Sequence, residues 1–169
     1  EAAKAQANRV TNFSFEVPGA NELQAEAWQT EYGSYERSRV LFGGWDGEYA
    51  LKLVSSGDST SLSSVKQRIN FEQTTPVPVL ITARVKGASI ANNTTDKYGA
   101  VLYCRVRYQT GDTDYCPTTA KTKNVGSFDW RYVGLNTGTM LRGHLPVKWI
   151  EVVPLIGPAG GTAWFDDVH

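Results

Sequence analysis

The chain lacks most of what would mark it for nucleic-acid, membrane or thiolate-metal chemistry. It holds two cysteines, two histidines and one methionine in 169 residues. The spacing of Cys104 and Cys116 fits no zinc-binding pattern. Basic and acidic residues balance at 17 each, whereas a partner made of nucleic acid or anionic membrane calls for a surplus of Lys and Arg. No run approaches the roughly 18 apolar residues of a membrane span. No signal peptide is legible. Residues 1–10 are polar and helix-prone, and read as a linker or remnant ahead of one domain over 11–169, a mature or excised piece. No internal repeat occurs, and no internal segment longer than one turn keeps a helical period. Serine-nucleophile elbows, phosphate loops and metallohydrolase clusters are also missing.

What the chain has in abundance is strand signal. Val, Thr, Tyr, Phe and Trp recur in short runs separated by Gly, Pro, Asn and Asp. Strands are expected near 12–17, 26–32, 36–42, 48–55, 64–73, 78–87, 99–109, 128–136, 146–155 and 162–168. About ten strands with 41% hydrophobic residues make an all-β antiparallel β-sandwich with a full core. Alternation assigns the faces. Val79, Ile81, Ala83 and Val85 form one apolar row, and Ala100, Leu102, Cys104, Val106 and Tyr108 another. Val65, Ile69 and Phe71 form a third, with Gln67 as its odd polar member. The row opposite Cys104 reads Val101, Tyr103, Arg105, Arg107. An aromatic followed by two arginines on one exposed sheet face is a surface built to touch something polar and ring-shaped.

The chain ends carry a second signal. Asn12-Phe13-Ser14-Phe15-Glu16 and Gly161-Thr162-Ala163-Trp164-Phe165-Asp166-Asp167-Val168-His169 each set a carboxylate among aromatics. A sandwich that pairs its first and last strands brings Glu16 to Asp166, and two carboxylates beside apolar rings need a cation. Cys104 and Cys116 flank a hairpin tip at 108–113. That register predicts either a cross-strand disulfide, in an oxidising compartment, or one buried and one loop thiol. Sequons begin at Asn12, Asn92 and Asn93, a triplet that chance produces often.

Taken in order, several motifs resemble the carbohydrate-binding modules of families 4, 9, 16 and 22. They are Asn12-Phe13-Ser14-Phe15-Glu16, then Gly47-Glu48-Tyr49-Ala50-Leu51-Lys52-Leu53, then Arg84-Val85-Lys86-Gly87. Phe128-Asp129-Trp130-Arg131-Tyr132-Val133-Gly134-Leu135 and the closing Phe165-Asp166-Asp167-Val168 complete the series. The match runs from about residue 11 onward, while 88–96 and 110–124 find no counterpart.

The resemblance implies a β-jelly roll with a structural calcium and a glycan groove on a concave sheet. It also implies a non-catalytic role, tethering an attached catalytic domain to its polysaccharide, in an extracellular or cell-surface protein that is a monomer. The calcium ligands expected are Glu16 and Asp166, with Glu48 and main-chain carbonyls. Asp166 is chosen over Asp167 because the family pattern uses the first of the pair.

The sugar-binding surface expected is Tyr103, Arg105 and Arg107, with Arg84 on an adjacent strand and Trp28 and Trp130 as platforms. Trp45 belongs to a groove edge or a sandwich end, and Trp164 to the core. Three arginines on one face repel unless acids sit among them. Either Glu72 or Glu151 supplies those acids, or the ligand is an acidic or sulfated polysaccharide. The rival readings are an adhesive sandwich that binds proteins, and a sandwich-fold lyase or glycosidase.

Overall fold

A computed structural model describes residues 7–40, 43–58, 60–91, 99–117, 124–158 and 160–169. Ten strands form among the described residues: β1 (Gln29–Tyr32), β2 (Tyr35–Arg39), β3 (Tyr49–Ser55), β4 (Ser63–Asn70), β5 (Leu80–Ile90), β6 (Ala100–Tyr108), β7 (Thr113–Pro117), β8 (Gly126–Asn136), β9 (Val147–Ile156) and β10 (Gly161–Asp166). They make two five-stranded sheets. The front sheet has the order β1-β4-β9-β6-β7 and the back sheet β2-β3-β10-β5-β8. Every pairing is antiparallel. The architecture is a β-sandwich jelly roll.

Period-2 alternation sends one row of each strand into the space between the sheets. The expected rows of β4, β5 and β6 lie there, meeting Leu51 and Leu53 of β3, Ile150 and Val152 of β9, and Ala163 and Phe165 of β10. Gln67, the polar member, is buried. Its Oε1 accepts from the Thr11 amide at 2.8 Å and its Nε2 donates to the Thr11 carbonyl at 2.9 Å. That pair of bonds ties the N-terminal segment to the front sheet. Val10 is buried in the core, and the Asn8 amide donates to the Val168 carbonyl. Asn8 and Val10 are thus tied to the domain.

Three expectations change. Residues 12–17 form a turn, because the Asn12 side chain takes the place of a strand partner. Its Oδ1 accepts from the Val17 amide, and its Nδ2 donates to the Val17 and Glu26 carbonyls. Asn12 and Phe15 both adopt positive φ, which a strand excludes. The sequon amide at Asn12 is therefore engaged inside the protein; Asn92 and Asn93 lie outside the described residues. The chain ends still meet, through the Val168 amide donating to Phe13 O at 3.0 Å. An additional strand, β7, pairs with β6 and sets Cys116 directly opposite Cys104, both thiols free. Trp164 points away from the core, since its neighbours Ala163 and Phe165 point in.

Replacing Gln67 by Leu keeps its volume and removes both bonds to Thr11. A loss of roughly 1–2 kcal/mol in urea unfolding is expected, with an unchanged m-value. Unaltered stability would show that the strap does not need this anchor.

Candidate functional site

The outer face of the front sheet carries the residues that the core does not use. Register lines them up in rows that run across the strands. One row reads Tyr115 (β7), Arg105 (β6), Glu151 (β9), Arg68 (β4), each opposite the next. Beside it runs Thr113, Arg107, Trp149, Asn70. On the other side Tyr103 lies between Pro117 and Val153. Tyr115 on one edge strand and Tyr32 on the other are 63% and 54% exposed, so aromatic rings stand at both rims.

The centre of this face is an ion network. Glu151 is only 4% exposed, and its Oε1 accepts from Arg68 Nε and Nη2 at 3.2 and 2.7 Å. Its Oε2 accepts from Arg105 Nη1, while Arg105 Nη2 donates to Glu31. Lys66 lies 3.7 Å from Glu31 and 4.0 Å from Glu151. Burial pushes the Glu151 carboxyl up, but the Arg68 and Arg105 guanidiniums outweigh it and hold the group below its ordinary value. Burial also works against the Arg105 charge, and the two glutamates reverse that and raise its pKa. The Arg68 guanidinium carbon lies over the Trp149 ring, 4.2 Å from its centroid, and Arg107 Nη1 donates to Thr113 Oγ1 at 3.0 Å.

Tyr103, Arg105 and Arg107 therefore share one face. Arg84 and Trp130 do not join them: β5 pairs with β10 and β8, so both residues belong to the back sheet. Trp28 is a core residue, 5% exposed, with its ring 5.0 Å from Phe15 and its Nε1 donating to Asn12 O. Trp45 is half-exposed and stacks on Arg84. The residues that sequence reading missed here are Trp149, Tyr115, Glu31 and Arg68. Alternation gave little contrast for Trp149, because its row in β9 continues through Val153 and Leu155.

The acidic residues expected to hold metal gather around one loop. Asp166 is fully buried. Its Oδ2 accepts from the Asp46 amide at 2.9 Å and its Oδ1 from its neighbour Asp167 at 2.7 Å. Burial pushes its pKa up to about 7 against the pull of those amides. Glu16 Oε1 accepts from the Glu48 and Tyr49 amides at 3.0 and 2.8 Å.

Glycines let the loop approach both carboxylates. A Cβ on Gly44 would sit 2.6 Å from Tyr49 O and 2.7 Å from Asp166 Oδ2, and one on Gly47 would sit 2.4 Å from Glu16 Oε1. Glu48 departs from expectation. Its side chain turns outward to Arg39 at 2.9 Å and is 61% exposed. Among the described residues no three His, Cys, Asp or Glu side chains converge as a metal cluster.

No protein-family model matches the chain, and no curated protein matches it. Solved structures do. A family 61 carbohydrate-binding module solved with β-1,4-galactotriose aligns over 97% of both chains, with a TM-score of 0.58 at 16% identity. A family 22 xylan-binding domain from Paenibacillus barcinonensis covers 92% of this chain and 88% of its own, with a TM-score of 0.57 at 16% identity. A family 28 module specific for non-crystalline cellulose covers 97% and 94%, with a TM-score of 0.54 at 10% identity. The chain has the jelly-roll fold of these carbohydrate-binding modules.

The Glu151 network makes a pH-dependent contribution to stability. A carboxyl held below its ordinary 4.5 stabilises the fold above that pH and loses the effect as pH falls through its folded value. The Glu151→Gln variant should be less stable than wild type by roughly 1–3 kcal/mol at pH 7. That gap should close below pH 4.5. A gap independent of pH in urea unfolding would contradict the ionised network.

Proposed function

We propose that this chain is a non-catalytic carbohydrate-binding module that lays a polysaccharide chain across the outer face of its front sheet. The observation that carries the reading is the cross-strand row Tyr115, Arg105, Glu151, Arg68, with Tyr103 and Trp149 on either side. Sugar rings pack an apolar C–H face on aromatic rings, and their hydroxyls bond to charged and amide groups. A network whose side chains are already fixed by one another meets those hydroxyls with little ordering cost. The solved neighbours with this fold bind galactotriose, xylan and cellulose, and one family 22 module is joined to a GH10 xylanase module. The role that follows is to hold an attached carbohydrate-active enzyme at its substrate, outside the cell.

The ligand of this face is a polymer of uncharged sugars. Arg105, the central guanidinium, already has Glu31 and Glu151 as partners, so no ligand anion is required to balance it. Glu151 also supplied the acid that the arginine row called for. Catalysis fits the same network poorly. A glycosidase needs one carboxyl raised to serve as an acid, and Glu151 is held low while Glu31 is engaged by Arg105 and Lys66.

Calcium would be held by Glu16 and Asp166 with main-chain oxygens of the loop between them, Tyr49 O among them. The donor set is hard oxygen, as calcium prefers, and glycine at 44 and 47 leaves the space that a side chain would fill. A cation there would also offset the cost of the buried Asp166 carboxylate.

Affinity electrophoresis against neutral and acidic polysaccharides tests the glycan reading. Retardation by a neutral galactan, xylan or glucan is expected, with Trp149→Ala and Tyr115→Ala each weakening it about tenfold or more. No retardation in any lane would move the reading to an adhesive sandwich. Retardation by acidic polymers alone, abolished by salt, would overturn the uncharged ligand.

The metal has its own test. Calcium at a hundredfold excess over its Kd should raise Tm by about 5–10 °C over the chelated protein. Unchanged melting after chelation would remove calcium from the account.

A further inference from the structure

One arginine stands apart from the rest. Arg84, on the outer face of the back sheet, lies against two aromatic rings. Its guanidinium carbon is 3.9 Å from the Trp45 ring and 5.2 Å from the Tyr132 ring. Among the described residues none of its donors meets an acceptor, and its Nε is buried without a partner. Other arginines stacked on rings are satisfied. Arg37 lies over Tyr49 but donates to the Phe15 and Glu16 carbonyls, and Arg68 lies over Trp149 but donates to Glu151.

The neighbours of Arg84 do not supply what is missing. Asp166 is its cross-strand partner in β10, yet that carboxylate is committed to the Asp46 and Asp167 amides. No ion pair forms between the two. Asp129 lies 3.9 Å from Lys86. A buried Nε–H with no acceptor among the described residues is costly, and contact with the rings uses none of the guanidinium's N–H bonds. The rings thus hold the guanidinium in place, and among the described residues its hydrogen-bonding capacity is left free. Trp45 is 48% and Tyr132 57% exposed, so each also offers a surface to a ring.

We propose that Arg84, Trp45 and Tyr132 form a second binding site, on the sheet opposite the first, for a sugar residue that bears a carboxylate or a sulfate ester. Both groups match a guanidinium fork, and the sugar ring packs against Tyr132 or Trp45. Next to this site Trp164 lies half-buried between its register partners Lys52 and Lys86, which continues an aromatic and basic strip along the same face. The site stands independently of the front-sheet reading, since it shares no residue with it.

Titration of the whole chain with sodium polygalacturonate and with dextran sulfate tests this, with uncharged dextran as the blank. Binding of at least one polyanion is expected, weakened by salt, and weakened tenfold or more in Arg84→Ala. Arg84→Lys keeps the charge without the fork and should also lose several-fold, with melting close to wild type. Dependence on Arg84 for the uronate polymer alone assigns the carboxylate, and for the sulfated polymer alone the sulfate ester. Equal affinity of wild type and both variants, or failure of wild type to bind either polyanion, would overturn the proposal.

Discussion

Strand alternation is the constraint on which this molecule rests. Each strand has one row of side chains committed to the space between the sheets, so every feature with a chemical use must come from the other row. In β6 the inner row is Ala100, Leu102, Cys104, Val106 and Tyr108, and the outer row includes Tyr103, Arg105 and Arg107. A register slip of one residue would exchange the two sets, burying the arginines and exposing the apolar row. The core therefore fixes the candidate site as firmly as it fixes the fold.

Charge on the front face is ordered by the same registers. Arg105 sits opposite Glu151, and Glu151 sits opposite Arg68, so each carboxylate oxygen meets a guanidinium without distortion of the sheet. A buried carboxylate left alone would carry a desolvation penalty of several kcal/mol. Paired from both sides, Glu151 becomes a fixed hydrogen-bonding platform. The back sheet follows a different logic. There Arg84 lies against rings and, among the described residues, meets no acid, while Asp166, its opposite number in β10, is taken up by a glycine-lined loop. On the front sheet Arg105 and Arg68 are paired with carboxylates, whereas Arg84 on the back sheet has no carboxylate partner among the described residues.

Much of this was legible in the sequence, and what was not has a physical cause. The inner rows of β4, β5 and β6 followed from alternation, and so did the shared face of Tyr103, Arg105 and Arg107. Which strands neighbour one another did not follow, because local periodicity carries no information on long-range pairing. That is why Arg84 and Trp130 were grouped with β6 although they lie on the other sheet. Trp28 sat in a run with strand character, but a hydrogen bond from its indole to Asn12 O and packing on Phe15 draw it inward. Residues 12–17 have strand composition, yet the side chain of Asn12 competes for the backbone groups a strand would use. Trp149 was masked by apolar neighbours on both faces of β9. Trp164, by contrast, could have been placed from parity alone, since Ala163 and Phe165 flank it.

The central claim is that the front sheet's outer face is where a glycan binds. Chemical-shift mapping of the isotope-labelled chain, titrated with a neutral oligosaccharide such as a galacto-, xylo- or cello-oligomer, tests it most directly. The account predicts that the largest perturbations fall together on Tyr103, Arg105, Tyr115, Trp149 and Glu151. Perturbations confined to the back sheet or to the loop around Trp45, with that group unmoved, would contradict it.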